Sequence, residues 1–580
     1  MLMILRHRLF LPLLSTLVCI SAPGERAHAQ TASQITPPTF APEQNAPSRG
    51  RVQLPETQGL NAPEGAEKLF VKPSGVDING AFAEMEEVNA AIEKRLGTGE
   101  ISGAEIFAAA RDLEVAYAKA GYILARVSVP PQTITDGTRI TFIVTDGYIE
   151  EIDASAFDAP VQGYVRKLLD PLVGQRRLKR QEIERRLLLA GDLPGLALRS
   201  TLRAGNAPGS ATLVLNGRFD SVTATVSVDN SVSKELGGAM TAAGLQLNNV
   251  IGLGEQFYAR VAGYPNGGDN GFLSGDPRNR QLAGGVIIPL HIEGLSLNLE
   301  GTDARTLPES DLGFGMSDHF QRFSARLNYD WWRSRDLDLS TNLAFDATRE
   351  RQTILLPDNK LPFTEDRLRV LRLTQSLLWQ NASGGSWNAS LTGSFGLDAL
   401  GARTGTDTLP LSRDGADPDF QKLDLNWRYG QAFPSGWQVT LKGRAQTSFG
   451  QALVASEQIS LGGFEGLSSY ASGRLDGDSG ALLRAEVHRP MVTTLPIAGE
   501  TRNLIIAPYV FAAGGVVKLE EATALESRVT RAASYGLGLQ TALSQTGSAS
   551  AVTLSLEYAR GSDSDNTRNN RFNLKLYASF

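Results

Sequence analysis

An alternation of apolar and polar residues that continues to the end of the chain limits the possible folds more than any other feature of the sequence. In residues 321–347, apolar side chains recur at every second position on both sides of a short polar turn, Arg333 to Arg335. Phe323, Leu327 and Trp331 therefore share one face of an extended segment, and polar or charged residues occupy the other face. This stretch predicts a β-hairpin with one apolar face and one charged face.

The same alternation recurs in residues 423–429, 437–449 and 571–580. Segments of about ten residues with this pattern suit strands that cross the hydrocarbon layer of a bilayer around a wet interior. About sixteen such strands can be counted after residue 220, a number within the range of bacterial barrels. The sequence therefore predicts an outer-membrane barrel of antiparallel strands over residues 220–580.

The lengths of the connections and the positions of the tryptophans support this topology. Periplasmic turns of such barrels are short and extracellular loops are longer. Long predicted connections are 264–280, 302–318, 348–366, 400–419 and 451–479, and short ones are 248–254, 333–335, 381–386 and 431–436. All six tryptophans fall beside short turns, where indole rings favour the membrane interface. The alternation of long and short connections holds almost throughout, and the connection at 488–502 fits it least well.

The beginning of the chain predicts export. Residues 1–29 combine a basic start, an apolar run and a small-residue cleavage site at Ala29, as in a secretory signal peptide. The single cysteine, Cys19, lies within it. Residues 30–65 are rich in proline, alanine, glutamine and serine and predict a flexible linker, in which the prolines argue against a long plugging helix. The net charge of -6 indicates no nucleic-acid partner.

Two small α/β modules are predicted before the barrel, at residues 66–147 and 148–219. Each has the order strand, helix, helix, strand, strand, and Ser102 with Glu105 forms a capping box at the start of one helix. A small sheet of this kind has an open edge, which can bind an extended polypeptide. The alternative interpretation is that the modules are folded spacers.

The sequence predicts no catalytic residue, cofactor or metal site, and hence no enzyme. Gly477 to Gly480 copies the surroundings of a trypsin-like serine, but catalysis also needs a histidine and an acid within reach. The histidines beyond residue 29 are His291, His319 and His488, which lie in no recognisable partner motif and are too scattered for a metal centre. No glycine-rich phosphate loop precedes a helix.

The barrel lumen is the remaining candidate site. Charged residues that alternate with the apolar ones should point inward and line a polar conduit: Arg322, Arg326, Arg428, Lys442, Arg444, Arg484 and Glu486. For each residue taken singly, ordinary solvated pore lining is the simpler interpretation.

The order of motifs in residues 66–580 resembles the transporter component of two-partner secretion, the haemolysin or filamentous-haemagglutinin secretion/activation family of the outer-membrane assembly-factor superfamily. The motifs lie at 118–122, 131–137, 144–149, 184–189, 192–195, 202–205 and 209–211. The resemblance implies that both modules are POTRA domains, which receive an unfolded exoprotein, and that the exoprotein crosses a sixteen-stranded barrel. It also implies an inward-folded loop at about 451–480 and a C-terminal assembly signal at Phe580.

The resemblance further implies an ion pair between the tip of the inward loop and the barrel wall. The predicted tip comprises Gly462, Gly463, Leu467, Ser468, Ser469 and Tyr470, and the predicted wall partner comprises Phe511, Ala513 and Gly515. Ser468 stands where the family has arginine, and Ala513 stands where it has a carboxylate. Both partners are absent together, which avoids a stranded charge. We therefore expect Tyr470 and the glycines to pack the tip, with help from Arg474 and Asp476.

Three functions follow from these expectations. The first is secretion of a large partner exoprotein, expected to be of the β-helix type, from the periplasm across the outer membrane of a Gram-negative bacterium. The second is insertion of other outer-membrane proteins, and the third is a passive porin, which would leave the two modules unexplained. Expected contacts are outer-membrane lipid and, during biogenesis, the barrel assembly machinery and periplasmic chaperones.

Overall fold

The protein, seen in a computed structural model, consists of two α/β modules beneath a closed β-barrel. The structure describes residues 30–42, 61–290, 293–310, 314–497, 500–524, 526–545 and 550–580. The predicted signal peptide and most of the predicted linker lie outside these residues. Among the described helices, the longest runs from Gly103 to Lys119, and none is long and apolar enough to cross a membrane.

The first module surrounds a core of aromatic and aliphatic side chains. Its elements are β1 (Phe70–Val71), β2 (Gly75–Asn79), α2 (Glu86–Leu96), β3 (Ile101–Ser102), α3 (Gly103–Lys119), β4 (Arg126–Ser128) and β5 (Arg139–Thr145), while α1 (Ala32–Ile35) precedes it in the chain. The Ser102 side chain accepts a hydrogen bond from Glu105 N, as the capping box predicts. Phe82 lies 5.0 Å from both Tyr117 and Tyr122, ring to ring, so one aromatic cluster joins the helices to the sheet β2-β5-β4.

The second module repeats this plan with one exposed sheet edge. Its elements are β6 (Tyr148–Asp153), α4 (Ala159–Leu169), α5 (Arg180–Gly191), β7 (Leu196–Ala204) and β8 (Ser210–Phe219), and the strand order is β6-β8-β7. The outer side of β6 is partly covered, because Gly174 N donates to Ile149 O at 2.8 Å. Among the described residues, β7 pairs with β8, and no strand pairs with its other side.

Sixteen antiparallel strands close the barrel, as predicted. They are β9 (Val222–Asp229), β10 (Met240–Asn248), β11 (Gln256–Gly263), β12 (Asn279–Pro289), β13 (Leu295–Thr306), β14 (Gly315–Arg333), β15 (Leu337–Leu356), β16 (Asn359–Gln380), β17 (Gly385–Gly396), β18 (Gln421–Ala432), β19 (Gln438–Thr447), the interrupted strand β22 (Ser479–His488) with β23 (Met491–Ile497), β24 (Glu500–Lys518), β25 (Val529–Gln545), β26 (Ala551–Asp563) and β27 (Arg568–Ser579). The short strands β20 (Ile459–Ser460) and β21 (Asp476–Gly477) pair inside a loop. Closure pairs β27 with β9, and Phe580 N donates to Ala224 O at 2.9 Å.

The predicted long loop at 348–366 is wrong. Strands β15 and β16 continue through it and meet at Leu356 and Asn359. Charged residues on the outer face, such as Arg349 and Arg351, break the apolar alternation beyond the membrane, so the strand resembles a loop in the sequence. The poor fit at 488–502 also has a structural reason, because β22 and β23 form one long strand along β24.

The second module is attached to the periplasmic rim by ionic contacts. Arg333, the last residue of β14, donates to Asp192 at 2.6 Å, and Arg186 of α5 donates to Glu293 at 2.7 Å. Burial raises the pKa of the Asp192 carboxyl above its usual value, although Arg333 opposes this shift. The module therefore has a fixed position beneath the β14–β15 side of the barrel.

Candidate functional site

The loop between β19 and β22 folds into the lumen as a hairpin. Strands β20 and β21 form its base, and Leu461 N donates to Leu475 O at 2.9 Å. Near the tip, Gly463 N donates to Tyr470 O and Leu467 N donates to Leu461 O, at 2.9 and 2.8 Å. The loop thus satisfies much of its backbone internally.

Glycines allow the chain to fold this tightly. A Cβ atom on Gly462 would lie 2.1 Å from Ala471 O, and one on Gly466 would lie 2.4 Å from Leu461 O. Gly463 also has a φ of +104°, which disfavours other residues. Larger side chains at these positions would open the hairpin.

The tip lies against the wall formed by β24, β25 and β26. Leu467 and Tyr470 are 0% and 1% exposed and belong to one buried cluster with Ala513. A Cβ atom on Gly515 would come within 2.8 Å of the Leu461 side chain. The structure thus brings together Tyr470, the tip and the predicted wall region.

Arg484 of β22 makes the polar contacts that the tip cannot make with an arginine of its own. Its Nη1 donates to Gly466 O and to Ser468 Oγ, both at 3.1 Å. Ser469 N donates to Ser534 Oγ at 3.2 Å, and Asn573 Nδ2 donates to Ser468 O at 2.9 Å. The tip is therefore held by donors and acceptors of the wall.

Arg484 is itself held by two carboxylates and an aromatic ring. It is 1% exposed, its Nε donates to Glu486 Oε1 at 2.6 Å, and its Nη2 donates to Glu557 Oε2. Its guanidinium carbon lies 3.8 Å from the centre of the Phe511 ring. Lys442 also donates to Glu486, at 3.0 Å. The positive charge of Arg484 is thus balanced within a buried network.

The strand register shows where Arg484 lies relative to the predicted ion pair. Arg484 pairs directly with Ala513 on the neighbouring strand. The resemblance described above predicts the family's carboxylate at Ala513 and its arginine at Ser468. In this chain the arginine instead extends from the wall towards the tip and meets Ser468, so the polarity of the contact is reversed.

A second ionic network holds the base of the loop. Arg372 donates to Glu457 Oε2 at 3.1 Å, and Lys422 Nζ lies 3.0 Å from the same atom. Burial alone would raise the pKa of Glu457, but Arg372 and Lys422 outweigh it and lower the pKa to about 2. The buried Asp478 accepts hydrogen bonds from Arg413 and Leu453 N, both at 3.0 Å.

The beginning of the predicted linker also lies inside the barrel. Over residues 30–42 the chain is not a free linker, because it contains α1 and contacts the lumen wall. Ala32 N donates to Asp318 at 2.8 Å and Ser33 N donates to Glu350 at 3.0 Å. Gln34 Nε2 donates to Asp476 Oδ2 of the inward loop at 2.6 Å. Buried carboxylates thus satisfy the amides that a short proline-rich segment cannot satisfy itself.

Further contacts continue along this N-terminal segment. Arg322 and Arg326 donate to the carbonyl oxygens of Pro37 and Pro38, at 3.0 and 2.8 Å, and both pair with the buried Glu300. Two of the predicted lumen arginines therefore bind the segment.

The other predicted lumen charges have different environments. Lys442 donates to Glu465 of the loop at 2.6 Å, and Arg444 donates to Ser460 O at 3.2 Å. Arg428 lies on the inner face of β18 and makes no hydrogen bond to a described residue of the loop. Partial burial raises the pKa of Asp476, next to the N-terminal segment, to about 6, despite hydrogen bonds from Ser460 and Gln34.

The structure gives the trypsin-like motif a role in packing. Ser479 Oγ lies 3.3 Å from Ser448 Oγ, while His319 pairs with Asp303 at 2.6 Å and His488 with Glu486 at 3.1 Å. The described residues thus include no histidine hydrogen-bonded to Ser479, and they contain no group of side chains suited to a metal ion.

Comparison with known proteins assigns this architecture to a family. The model of "Haemolysin secretion/activation protein ShlB/FhaC/HecB" matches residues 209–541, and the ShlB-type POTRA domain matches residues 72–147. The chain belongs to the ShlB/FhaC/HecB family. The members of this family are transporters. The predicted resemblance is confirmed, and the barrel lies in the outer membrane with the POTRA region in the periplasm.

Individual relatives are similar over the same region. The heme/hemopexin transporter protein HuxB of Haemophilus influenzae is 25% identical over 408 residues, which cover 67% of this chain and 66% of HuxB. The outer membrane transporter CdiB of Escherichia coli is 24% identical, over 67% of this chain and 63% of CdiB. A structure of CdiB from Escherichia coli has a TM-score of 0.68 at 16% identity and covers 93% of this chain and 95% of that one.

Proposed function

We propose that this ShlB/FhaC/HecB family member secretes a large exoprotein by two-partner secretion. The POTRA modules receive the exoprotein unfolded in the periplasm, and the barrel conducts it to the cell surface. The main support is the combination of POTRA modules with a lumen occupied by two segments of the chain itself. Both segments are held by side-chain contacts, so they can leave without breaking the barrel.

Edge strand β7 is the proposed receptor for the exoprotein. An unfolded chain can add a strand to a free sheet edge through its backbone and can then be recognised with little dependence on sequence. Residues Ala197, Arg199, Thr201 and Arg203 alternate as exposed positions along this edge. Two of them are basic and two are small or polar, which discourages pairing of this edge with a second transporter.

The test combines site-specific crosslinking with secretion. A photo-reactive residue in place of Thr201 should crosslink to the exoprotein, whereas the same residue in place of the exposed Lys167 of α4 should not. The exoprotein for this assay is to be sought among reading frames next to the transporter gene, as a long repetitive secreted protein. Equal crosslinking at both positions would remove the edge-strand proposal.

Deletion of residues 66–219 separates transport from simple conductance. A transporter should lose secretion while its barrel still folds and conducts ions. A passive porin would keep every activity after this deletion. An assembly factor would instead lose other outer-membrane proteins from the membrane, with no specific loss of one exoprotein.

A further inference from the structure

The outer surface of the barrel carries an arginine cluster on the extracellular side. Arg349 and Arg351 of β15 and Arg367 and Arg369 of β16 lie on the face opposite to the buried lumen residues Thr348, Glu350, Leu368 and Val370. The side chains of Arg349, Arg351 and Arg367 are 42%, 40% and 42% exposed. We call these four residues the arginine cluster.

Three of these arginines converge on one carboxylate. Glu365 accepts from Arg349 Nε at 3.2 Å, from Arg351 Nε at 2.8 Å and from Arg367 Nε at 2.6 Å, and it is 1% exposed. One negative charge therefore holds three positive charges together. Among the described residues, the Nη atoms of Arg349 and Arg367 have no hydrogen-bond partner. The cluster therefore keeps an excess of positive charge and hydrogen-bond donors that suit an anion.

The height of the cluster places it where lipid headgroups lie. Trp379, at the periplasmic end of β16, lies ten residue steps along the strand from Arg369. At a rise of about 3.3 Å per residue and a tilt of about 40°, these steps span about 25 Å, the height of the apolar band of such barrels. Leu371 and Leu373, just below Arg369, are 38% and 50% exposed, as lipid-facing side chains should be.

A groove in the outer surface leads from the cluster towards the bilayer. It has a volume of about 830 Å³, and Arg349, Arg367 and Arg369 form one side of it. One row of paired residues crosses its floor: Ala259, Gly284, Gly301, Phe323, Ala347 and Arg369. Apart from Phe323 and the terminal arginine, this row has small residues where a lipid-facing surface usually has large apolar ones.

Packing within the protein does not require a glycine in this floor. A Cβ atom on Gly301 would meet nothing within 4 Å, and its φ is not in the left-handed region. The small side chain leaves open space on the outer surface. Val261 and Leu282 line the same groove, so an acyl chain would find apolar walls beneath the basic cluster.

We propose that this surface binds a phosphorylated lipid of the outer leaflet. The Nη atoms of the Arg349 and Arg367 guanidinium groups would bind its phosphate groups, and one acyl chain would lie in the groove over Gly301. Such a lipid would neutralise the excess charge of the cluster and support the long β15–β16 hairpin outside the membrane. This site faces away from the lumen and is independent of the exoprotein path.

Purified protein in detergent can be titrated with bisphosphorylated lipid A and followed by native mass spectrometry. The double variant Arg349→Gln with Arg367→Gln keeps Arg351 as a partner of Glu365 and should bind about ten-fold more weakly or worse. Arg568→Gln, at an exposed arginine near the extracellular end of β27 on another side of the barrel, is the matched control and should bind like the wild type. Dephosphorylated lipid A should bind the wild type and the double variant equally weakly.

A second variant tests the groove while keeping every charge. Gly301→Trp should fill the floor and weaken binding of lipid A, with the barrel still folded as judged by its heat-modifiable migration on gels. The proposal is overturned if the double variant binds lipid A as the wild type does, or if Arg568→Gln weakens binding equally. It is also overturned if inorganic phosphate alone displaces the lipid, because the site would then recognise a free anion.

Discussion

Replacing Arg484 by methionine should release the tip of the inward loop. The arginine gives the tip two hydrogen bonds, to Gly466 O and Ser468 Oγ, each 3.1 Å long. Hydrogen bonds from a charged donor contribute about 1.5 to 3 kcal/mol each, and water in the lumen can replace part of this. We therefore expect a net loss of about 2 to 3 kcal/mol, which shifts the equilibrium between bound and released tip by about 30- to 150-fold.

The barrel itself should survive this change. Glu557 still accepts from Tyr509 OH at 2.7 Å, and Glu486 still accepts from Lys442 and lies 3.1 Å from His488. Removing Arg484 therefore leaves neither carboxylate without a partner. Methionine also keeps the length and apolar character of the arginine stem over Phe511.

The position of the tip can be measured by disulfide formation. Ser469 N lies 3.2 Å from Ser534 Oγ, so cysteines introduced at Ser469 and Ser534 should crosslink the bound tip to the wall. The one native cysteine, Cys19, lies in the predicted signal peptide, so we expect it not to compete for this disulfide. The crosslinking rate should fall at least several-fold with Arg484→Met and should not change with the control Arg428→Met. The mean conductance should rise with Arg484→Met and should not rise with Arg428→Met. Equal crosslinking rates in the wild type and Arg484→Met would refute the anchoring role of this arginine.

Other predictions concern the second lumen segment and the rim. Deleting residues 30–42 should raise the mean conductance in planar bilayers several-fold, because the segment occupies the lumen; unchanged conductance would show that it blocks nothing. The thermal midpoint of the wild type should rise relative to that of Asp476→Asn as the pH falls from about 8 to 5. The reason is that a carboxyl whose pKa is raised to about 6 in the folded protein destabilises the fold only when it is ionised. Parallel pH profiles of the two midpoints would contradict this. Arg333→Ala should leave the partly buried Asp192 unpaired and increase protease cleavage between the second module and the barrel, and Arg333→Ala with Asp192→Asn should reverse part of this effect.

The sequence predicts the barrel well because the bilayer imposes one regular constraint on every strand. The alternation around Phe323 and Arg322 holds in the structure: the phenylalanine is 52% exposed to the lipid side, and the arginine side chain is 8% exposed inside. The prediction fails where this constraint ends. Beyond the membrane, Arg349 and Arg351 can face outward, so strand and loop have similar sequence patterns there.

Contacts between distant residues are the part that the sequence does not reveal. The position of Arg484 inside the lumen follows from its strand, but its contact with Ser468 depends on how the loop folds. The N-terminal segment has no periodicity, and its position depends on the carboxylates of Asp318 and Glu350 from strands far along the chain. The predicted absence of both the arginine at Ser468 and the carboxylate at Ala513 is the one sequence signal that points to a replacement from the wall.

The two segments in the lumen are held by largely different parts of the barrel. The N-terminal segment contacts β13, β14 and β15 through Glu300, Asp318 and Glu350, whereas the loop tip contacts β22 and β24 to β27. Gln34 and Asp476 join them side chain to side chain. Each segment has its own wall contacts. Release of one therefore disrupts the other only at this bond, at a contact between Gln30 and Ser472 O, and where α1 packs against residues Ala455–Glu457. We therefore expect an exoprotein that enters from the periplasm to displace the two segments in separate steps. Each step is opposed by a few hydrogen bonds, so the free-energy barrier to displacing either segment is small compared with that to unfolding the barrel.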